Sequence, residues 1–321
     1  MAWFNKSDMK NATNLIHDSR LLHYLISTMA IVGIIGNLLL LLVIIRSRRL
    51  LDPTYIYIAN ITASDFSTSL QIFVVNIFLA IKVTLEVDAW ILFCKVLSLI
   101  FFVSILTSSL SLLAVSLYRL KIVLEPINFR STSALYKHRS KCVLLIWITG
   151  LLGAAPVYLL TSYHSEPQTC FIGYPYGQMV NIIYYSVTLI GGYFVPIIIM
   201  MYCYIRIFQK LTSTSPTLLQ TSSHSNVTTT NRSIKAVKFM LAVTCIYMLL
   251  ILPFISWMLG LSFAYQSQAS LISAMPELSL LLAMAFGCSY LVCILNPLLF
   301  LIFDKNIKSK LSKILPVITC A

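Results

Sequence analysis

Three residue types stand where their chemistry is conspicuous: a carboxylate, Asp65, a base, Arg119, and a thiol, Cys94, all in or beside long apolar runs. Arg119 lies near the end of a stretch from Cys94 to Ile127 that is dominated by Leu, Ile, Phe and Ser. A charge beside such a run is expensive in hydrocarbon, so it faces a bundle interior or a polar cavity and marks a functional site. Asp65 is the one carboxylate at mid-run. It is either a protonated, hydrogen-bonded packing residue or a cation or proton site. If the stretch from Cys94 crosses a membrane, the cysteine lies at one surface and the arginine near the other.

The elements that must position these groups are apolar runs of membrane length. The 321 residues are 59% hydrophobic and 10% charged, with a mean hydropathy of +0.88; soluble domains carry roughly 25% charged residues. Apolar residues fill Leu21–Ile45, Tyr55–Ile81, Ile91–Leu117, Cys142–Leu160, Val180–Ile207, Ala236–Phe263 and Leu278–Phe303. Each run approaches or exceeds the ~20 residues that cross a bilayer as a helix. Short alternating segments, the mark of a transmembrane barrel, are missing from this pattern. The sequence therefore predicts an all-α membrane protein, a seven-transmembrane helix bundle. Residues 1–20 form a tail, 21–303 the bundle, and 304–321 a short amphipathic eighth helix with a tail.

The net charge of +13 is topology information, not a nucleic-acid footprint. With alternate gaps assigned to alternate sides, every basic residue except Lys6, Lys10, Arg20, Lys82 and Lys95 falls on or near one side. The positive-inside rule makes that side cytoplasmic and predicts an outward N-terminus. The sequons at Asn5 and Asn11 are then glycosylation sites on the outward tail. Cys94 and Cys170 are the two cysteines on the oxidising side, which makes a bridge between them reasonable. Cys142, Cys203, Cys245, Cys288 and Cys293 read as small apolar span residues, and Cys320 as a cytoplasmic thiol open to palmitoylation.

Along the chain, Asn37 in the first run should face neighbouring helices, because an unpaired amide at lipid depth costs several kcal/mol. Ser104, Ser108, Ser109 and Ser111 in the third run suit close helix approach. Pro196, Pro253 and Pro297 break backbone ladders and predict kinks. Thr212–Ser233, rich in Ser, Thr and Asn, reads as a flexible cytoplasmic loop. Asp304–Leu315 puts Ile307, Leu311, Ile314 and Leu315 on one helical face, as an interfacial helix does.

Taken in order, these residues resemble the rhodopsin-like (class A) G-protein-coupled receptors, over all seven runs. The resemblance rests on Gly36-Asn37, Asn60 to Asp65, Trp90 in the first outer loop, Cys94, Arg119, Pro126-Ile127, Trp147, Pro196, Tyr204, Pro253 and Asn296-Pro297. It implies a plasma-membrane receptor whose inner face catalyses nucleotide exchange on a heterotrimeric G protein. It also implies the Cys94–Cys170 bridge, coupling through Arg119, Ile127 and Tyr204, and a sodium ion at Asp65 with Asn37, Ser108 and Asn296 in its network. The matched ligand pocket comprises Phe101, Phe102, Ile105, Thr188 and Phe254, together with Ile255, Met258, Phe286 and Tyr290. It is mostly apolar and aromatic, as small-molecule sites often are.

Phe101 stands where amine receptors carry aspartate, and Tyr290 where opsins carry the retinal lysine. A cation-anchored amine and covalent retinal are therefore disfavoured. Glu86, Asp88, Glu166 and Glu277 could engage a basic peptide, so a short peptide, a lipid or another apolar ligand stays open. Other departures touch the switch. Tyr118 and Leu120 flank Arg119 in place of Asp and Tyr, and Ser233 replaces an acid. Ile251 replaces the toggle tryptophan, and Phe300 the tyrosine after Asn296-Pro297. Without a charge-paired latch, the expectation is either raised ligand-independent signalling or inefficient coupling. A transporter or channel is the competing class. An intramembrane enzyme would need paired catalytic groups at matching depth, which this pattern lacks.

Overall fold

The protein's structure, a computed structural model, describes residues 19–47, 52–125, 133–164, 169–221, 224–266, 270–271, 274–275 and 278–319. Asn5, Asn11, Ile127, Glu166, Glu277 and Cys320 lie outside the described residues, as does the side chain of Ser233. Seven helices are long and apolar enough to cross a membrane. Span one is Ser19–Arg46, span two Pro53–Ala80, span three Val87–Leu124 and span four Arg139–Leu160. Span five runs in three joined pieces, Gln178–Val187, Thr188–Phe194 and Val195–Thr221. Spans six and seven are His224–Ala264 and Leu278–Phe303. Span three packs against spans two, four and five, while span seven closes the bundle against one, two and six.

Two glycines let the bundle close. A Cβ on Gly33 would sit 2.5 Å from Ser69 Oγ, and one on Gly36 3.3 Å from Pro297 Cγ. These positions are one helical turn apart, so a single face of span one meets spans two and seven at close range.

The spans' polar side chains largely repair what the prolines break. Pro196 has no N–H to offer the carbonyl four residues back, which belongs to Gly192. Ser109 donates to that carbonyl from span three at 3.0 Å. The backbone from Thr188 to Phe194 widens into π-helical turns just before Pro196, absorbing the clash. Pro297 frees the carbonyl of Cys293 in the same way, and the Asn37 amide donates to it at 2.8 Å. Beside Pro253, the Tyr193 hydroxyl donates to the Met248 carbonyl at 3.1 Å. The expected lipid-averse asparagine is thus a proline's partner. Replacing Asn37 by leucine should leave a buried carbonyl unpaired and destabilise the bundle by about 1–3 kcal/mol. The melting temperature of the solubilised protein reads this; an unchanged value would mean that the Cys293 carbonyl needs no partner.

Two expectations are corrected. Trp90 lies not in a loop but in the first turns of span three, stacked on Tyr163 with ring centroids 5.3 Å apart. Thr212–Ser233 is not one irregular loop: helix continues to Thr221 and resumes at His224. The physical reason is that each span hands its ladder onward, while Thr212 and Ser213 fold their hydroxyls back onto the carbonyls of Phe208 and Lys210. The segment that carries Cys170 follows span four. Two strands, β1 (Thr161–His164) and β2 (Thr169–Ile172), pair antiparallel with Tyr163 opposite Cys170.

The terminal amphipathic helix is present as Lys305–Thr319, longer than its expected end at Leu315. Asp304 caps it, accepting from the backbone N–H groups of Asn306 and Ile307 at 2.9 and 3.1 Å. Ile307 is fully buried and Leu311 packs on the core, anchoring the helix to the bundle.

Candidate functional site

At one end of the bundle, Cys94 on span three is bonded to Cys170 on β2. This staple holds the hairpin across a cavity of about 160 Å³, whose wall includes Phe171 and Ile172. Phe101, Phe102, Phe254, Met258, Phe286 and Tyr290, six of the nine residues that the family resemblance gives to a ligand pocket, line it. Their rings interlock edge to face, Phe101 on Phe254 at 5.1 Å and Phe254 on Phe286 at 5.2 Å. Ile105, Thr188 and Ile255 do not join this cavity. They border a separate void of about 10 Å³ beside Ile251, and the Thr188 hydroxyl is spent on the Tyr184 carbonyl at 2.9 Å. Gln71, Asn76, Ser98 and Tyr290 are the polar side chains of its lining. The Gln71 amide nitrogen donates to the Leu97 carbonyl at 2.8 Å, while its oxygen is buried with no hydrogen-bond partner. Glu86 and Asp88 stand at the N-terminus of span three, where acids complement the helix dipole. The Tyr174 phenol, raised above its ordinary pKa by burial, stays a neutral donor to the Leu261 carbonyl at 2.6 Å.

At mid-bundle, Asp65 accepts a hydrogen bond from Asn296 at 2.8 Å, tying span two to span seven. Ser104, Ser108 and Ser289 share with Asp65 a void of about 10 Å³, about the room one water needs. Ser108 Oγ is buried without a partner. These oxygens suit a small hard cation. Asn37, by contrast, spends its amide on the carbonyls of Gly33 and Cys293 and makes no direct bond to Asp65. Asn60 forms a second cross-link, accepting from Trp147 at 2.7 Å and donating to Ser111 at 2.6 Å.

At the end opposite the disulfide, Arg119 lines a cavity of about 390 Å³ with Tyr55, Val123, Lys235, Met240 and Asp304. The carboxylates nearby are engaged elsewhere. Asp52 accepts from the Tyr118 hydroxyl at 3.2 Å and from the Thr54 N–H at 2.9 Å. Asp304 caps the terminal helix and accepts a long bond from Tyr55 at 3.3 Å. Among the described residues Lys121 and Glu125 form an exposed ion pair on one helix, and Arg119 Nε is buried without a hydrogen-bond partner. Tyr204 does not line this cavity: it is buried beside it, bonded to Thr244 of span six at 3.2 Å. Phe300 packs edge to face on Phe239 at 5.6 Å, so ring contact joins spans six and seven there.

The sequence profile described as "7 transmembrane receptor (rhodopsin family)" matches residues 36–300, which contain all of these groups except Asp304. The chain belongs to that family. Individual relatives are more distant. The B1 bradykinin receptor of Homo sapiens is 31% identical over 49% of this chain and 43% of its own length. G-protein coupled receptor 183 of Bos taurus is 27% identical over 62% of this chain and 56% of its own. Neuropeptide Y receptor type 4 of Rattus norvegicus is 27% identical over 60% and 54%. The chain spans about half the length of the curated relatives it matches. As a family member it is a multi-pass membrane protein of a receptor family, not of an enzyme family, and the transporter or channel alternative is not favoured.

Several of this receptor's site residues escape sequence reasoning. Gln71, Asp52 and Tyr55 are ordinary polar residues whose roles come from what faces them. The hairpin had a readable signal: β-branched and aromatic residues crowd both flanks of residues 165–168.

Proposed function

We propose that this receptor carries an extracellular ligand signal across the plasma membrane to a heterotrimeric G protein, with its N-terminus outside and glycosylated at Asn5 and Asn11. The observation that carries this reading is the pair of cavities at opposite ends of one bundle. One is aromatic and lidded by the disulfide-held hairpin; the other has Arg119 and Lys235 on its wall. The first suits an apolar ligand. The second suits the acidic or carboxylate-bearing end of a partner peptide. Tyr204, on the junction of spans five and six, would control how far that cavity opens, and Ile127, outside the described residues, would add an apolar contact.

The absence of a carboxylate latch on Arg119 among the described residues supports ligand-independent activity, since nothing there holds the arginine back. Nucleotide exchange on a panel of G proteins, with the receptor in lipid nanodiscs, tests the reading. Exchange above receptor-free discs is expected for at least one G protein. Exchange at the receptor-free level with every one of them would overturn it.

Asp65, Ser104, Ser108 and Ser289 would hold the sodium ion, with Asn296 steadying the Asp65 carboxylate. Bound there, the ion supplies a positive charge that draws spans two, three and seven together. The four side chains orient their oxygens into one void and exclude lipid from it. Exchange should therefore fall roughly 5-fold or more as sodium replaces choline, and Asp65→Asn should abolish that dependence. Equal sodium responses in parent and variant would reject the site.

A further inference from the structure

At the disulfide end of the bundle, span six is capped by side chains from other elements. A helix leaves its last carbonyls without partners in its own ladder. Span six ends at Ala264. The Tyr174 hydroxyl donates to the Leu261 carbonyl at 2.6 Å and lies 3.3 Å from the Gln266 carbonyl oxygen. The Gln178 amide donates to the Ser262 and Phe263 carbonyls at 3.2 and 3.0 Å. Tyr265, just past the helix, is held at φ 53°. Bulky side chains rarely take that left-handed conformation, which glycine usually supplies at a helix end. The Tyr265 ring meets that of Tyr174 edge to face, centroids 4.9 Å apart.

Tyr174 stands on a turn that is fastened to the rest of the bundle. The Gly173 N–H donates to the Leu160 carbonyl at the end of span four at 2.7 Å. The Gly173 carbonyl accepts from the Asn181 amide of span five at 2.9 Å. The Gly177 N–H closes the turn on the Tyr174 carbonyl at 3.0 Å. The same segment continues β2, whose Cys170 is bonded to span three and whose Phe171 and Ile172 wall the hairpin-covered cavity. Met258, about one turn before Leu261, walls that cavity from span six. Tyr174 thus ties one wall of the cavity to another.

Span six is one continuous helix from His224 to Ala264, with Pro253 inside it. Tyr247 ties its middle to span three, its hydroxyl donating to the Ile105 carbonyl at 2.7 Å. Leu261 lies ~21 Å from Tyr247 along the helix and Lys235 ~18 Å on the other side, at about 1.5 Å per residue. A tilt about Tyr247 therefore moves the capped end and the wall of the Arg119 cavity, where Lys235 and Met240 stand, by similar amounts in opposite directions.

We infer that Tyr174 and Gln178 are positioning residues that clamp span six in the tilt of this structure and pass movement of the hairpin strand to the Arg119 cavity. With the clamp closed, the end of span six stays with the turn and span five. With it open, Phe254 and Met258 settle into the unfilled space of the hairpin-covered cavity, and the far end of the helix swings away from Arg119. An occupant that shifts Phe171 or Ile172 acts on the same clamp, because both precede Tyr174 on one fastened segment. This inference rests on the proposed signalling role and adds the device that joins its two cavities.

The test places genetically encoded nitroxide side chains at Lys141 and Lys238, both exposed near the Arg119 ends of spans four and six. Pulsed electron paramagnetic resonance on ligand-free receptor in nanodiscs reads their separation. Tyr174→Phe and Gln178→Leu should each raise the population at the longer separation, and the ligand-free nucleotide exchange, about threefold, as the loss of one neutral hydrogen bond does. Tyr176→Phe, 59% exposed on the same turn, should change neither. Parental distances in both clamp variants, whatever their melting temperatures, overturn the inference, since a residue that only stabilises the fold would leave the distances alone. Gln178→Leu decides the matter should Tyr174→Phe fail to fold. The distances need no G protein. Exchange in the parent with unmoved distances in the variants removes only the clamp, and moved distances without exchange on any G protein remove only the G-protein reading.

Discussion

Replacing Arg119 by alanine is expected to lower receptor-catalysed nucleotide exchange by about 10- to 150-fold. The magnitude follows from losing hydrogen bonds to a charged partner, about 1.5–3 kcal/mol. The guanidinium lines the wide cavity at the end opposite the disulfide, and no acid among the described residues pairs with it. Its donors are therefore available to an incoming carboxylate or carbonyl, in a fork that lysine cannot reproduce. Arg119→Lys should recover only part of the exchange. Because Arg119 holds no ion pair within the described residues, alanine should leave the melting temperature nearly unchanged. A parallel fall in thermal stability and exchange would instead make Arg119 a structural residue.

Breaking the Cys94–Cys170 bond is the second large effect. The bond closes a segment of 76 residues, for which the chain-entropy relation gives about 4–5 kcal/mol. Total stabilities of domains are only about 5–15 kcal/mol. Cys94→Ala should therefore cut folded receptor at the cell surface severely. The local geometry adds to this, since β2 carries Phe171 and Ile172 into the wall of the hairpin-covered cavity. A hairpin freed from span three keeps its pairing to β1 and the stacking of Tyr163 on Trp90, but loses its covalent tie to the cavity. The double variant Cys94→Ala with Cys170→Ala should be no worse than either single one. Surface expression and thermal unfolding check both points, and single variants with parental melting temperatures would contradict the account.

How far the sequence could be read depended on the kind of physical signal. Apolar runs of bilayer length mark the seven spans because hydrocarbon imposes one requirement on every residue that crosses it. The boundaries were less legible. Span three begins at Val87, not Ile91, and its first turns set Trp90 on Tyr163, a partner that one segment's sequence does not show. Thr212–Ser233 looked loop-like by composition. Ser and Thr can close their hydroxyls onto the preceding turn, so a helix already begun continues through them.

The candidate site divides in the same way. Cys94, Cys170 and Asp65 were recognisable because their residue types are costly or rare where they stand, and Asn296 through the family resemblance alone. The structure gives each its partner. The pocket aromatics were recognisable by position, and most of them meet. Ile105, Thr188 and Ile255 part from them because Phe102 and Phe254, which border both voids, stand between the two, a distinction that sequence spacing does not carry.

By itself, the sequence determined that this is a seven-span helical membrane protein with Arg119 and Cys94 at opposite ends of one helix. Length, hydropathy and charge asymmetry suffice for that, because the bilayer acts on segments one at a time. Only the tertiary structure decided what those groups meet. It engaged Asp52 with Tyr118 and Asp304 with the terminal helix, and left Arg119 without an acid among the described residues. It also turned Asn37 and Ser109 into partners for carbonyls that Pro297 and Pro196 release. These outcomes depend on which faces of separate spans come together, and that is set by close packing around Gly33 and Gly36 rather than by any property of one segment.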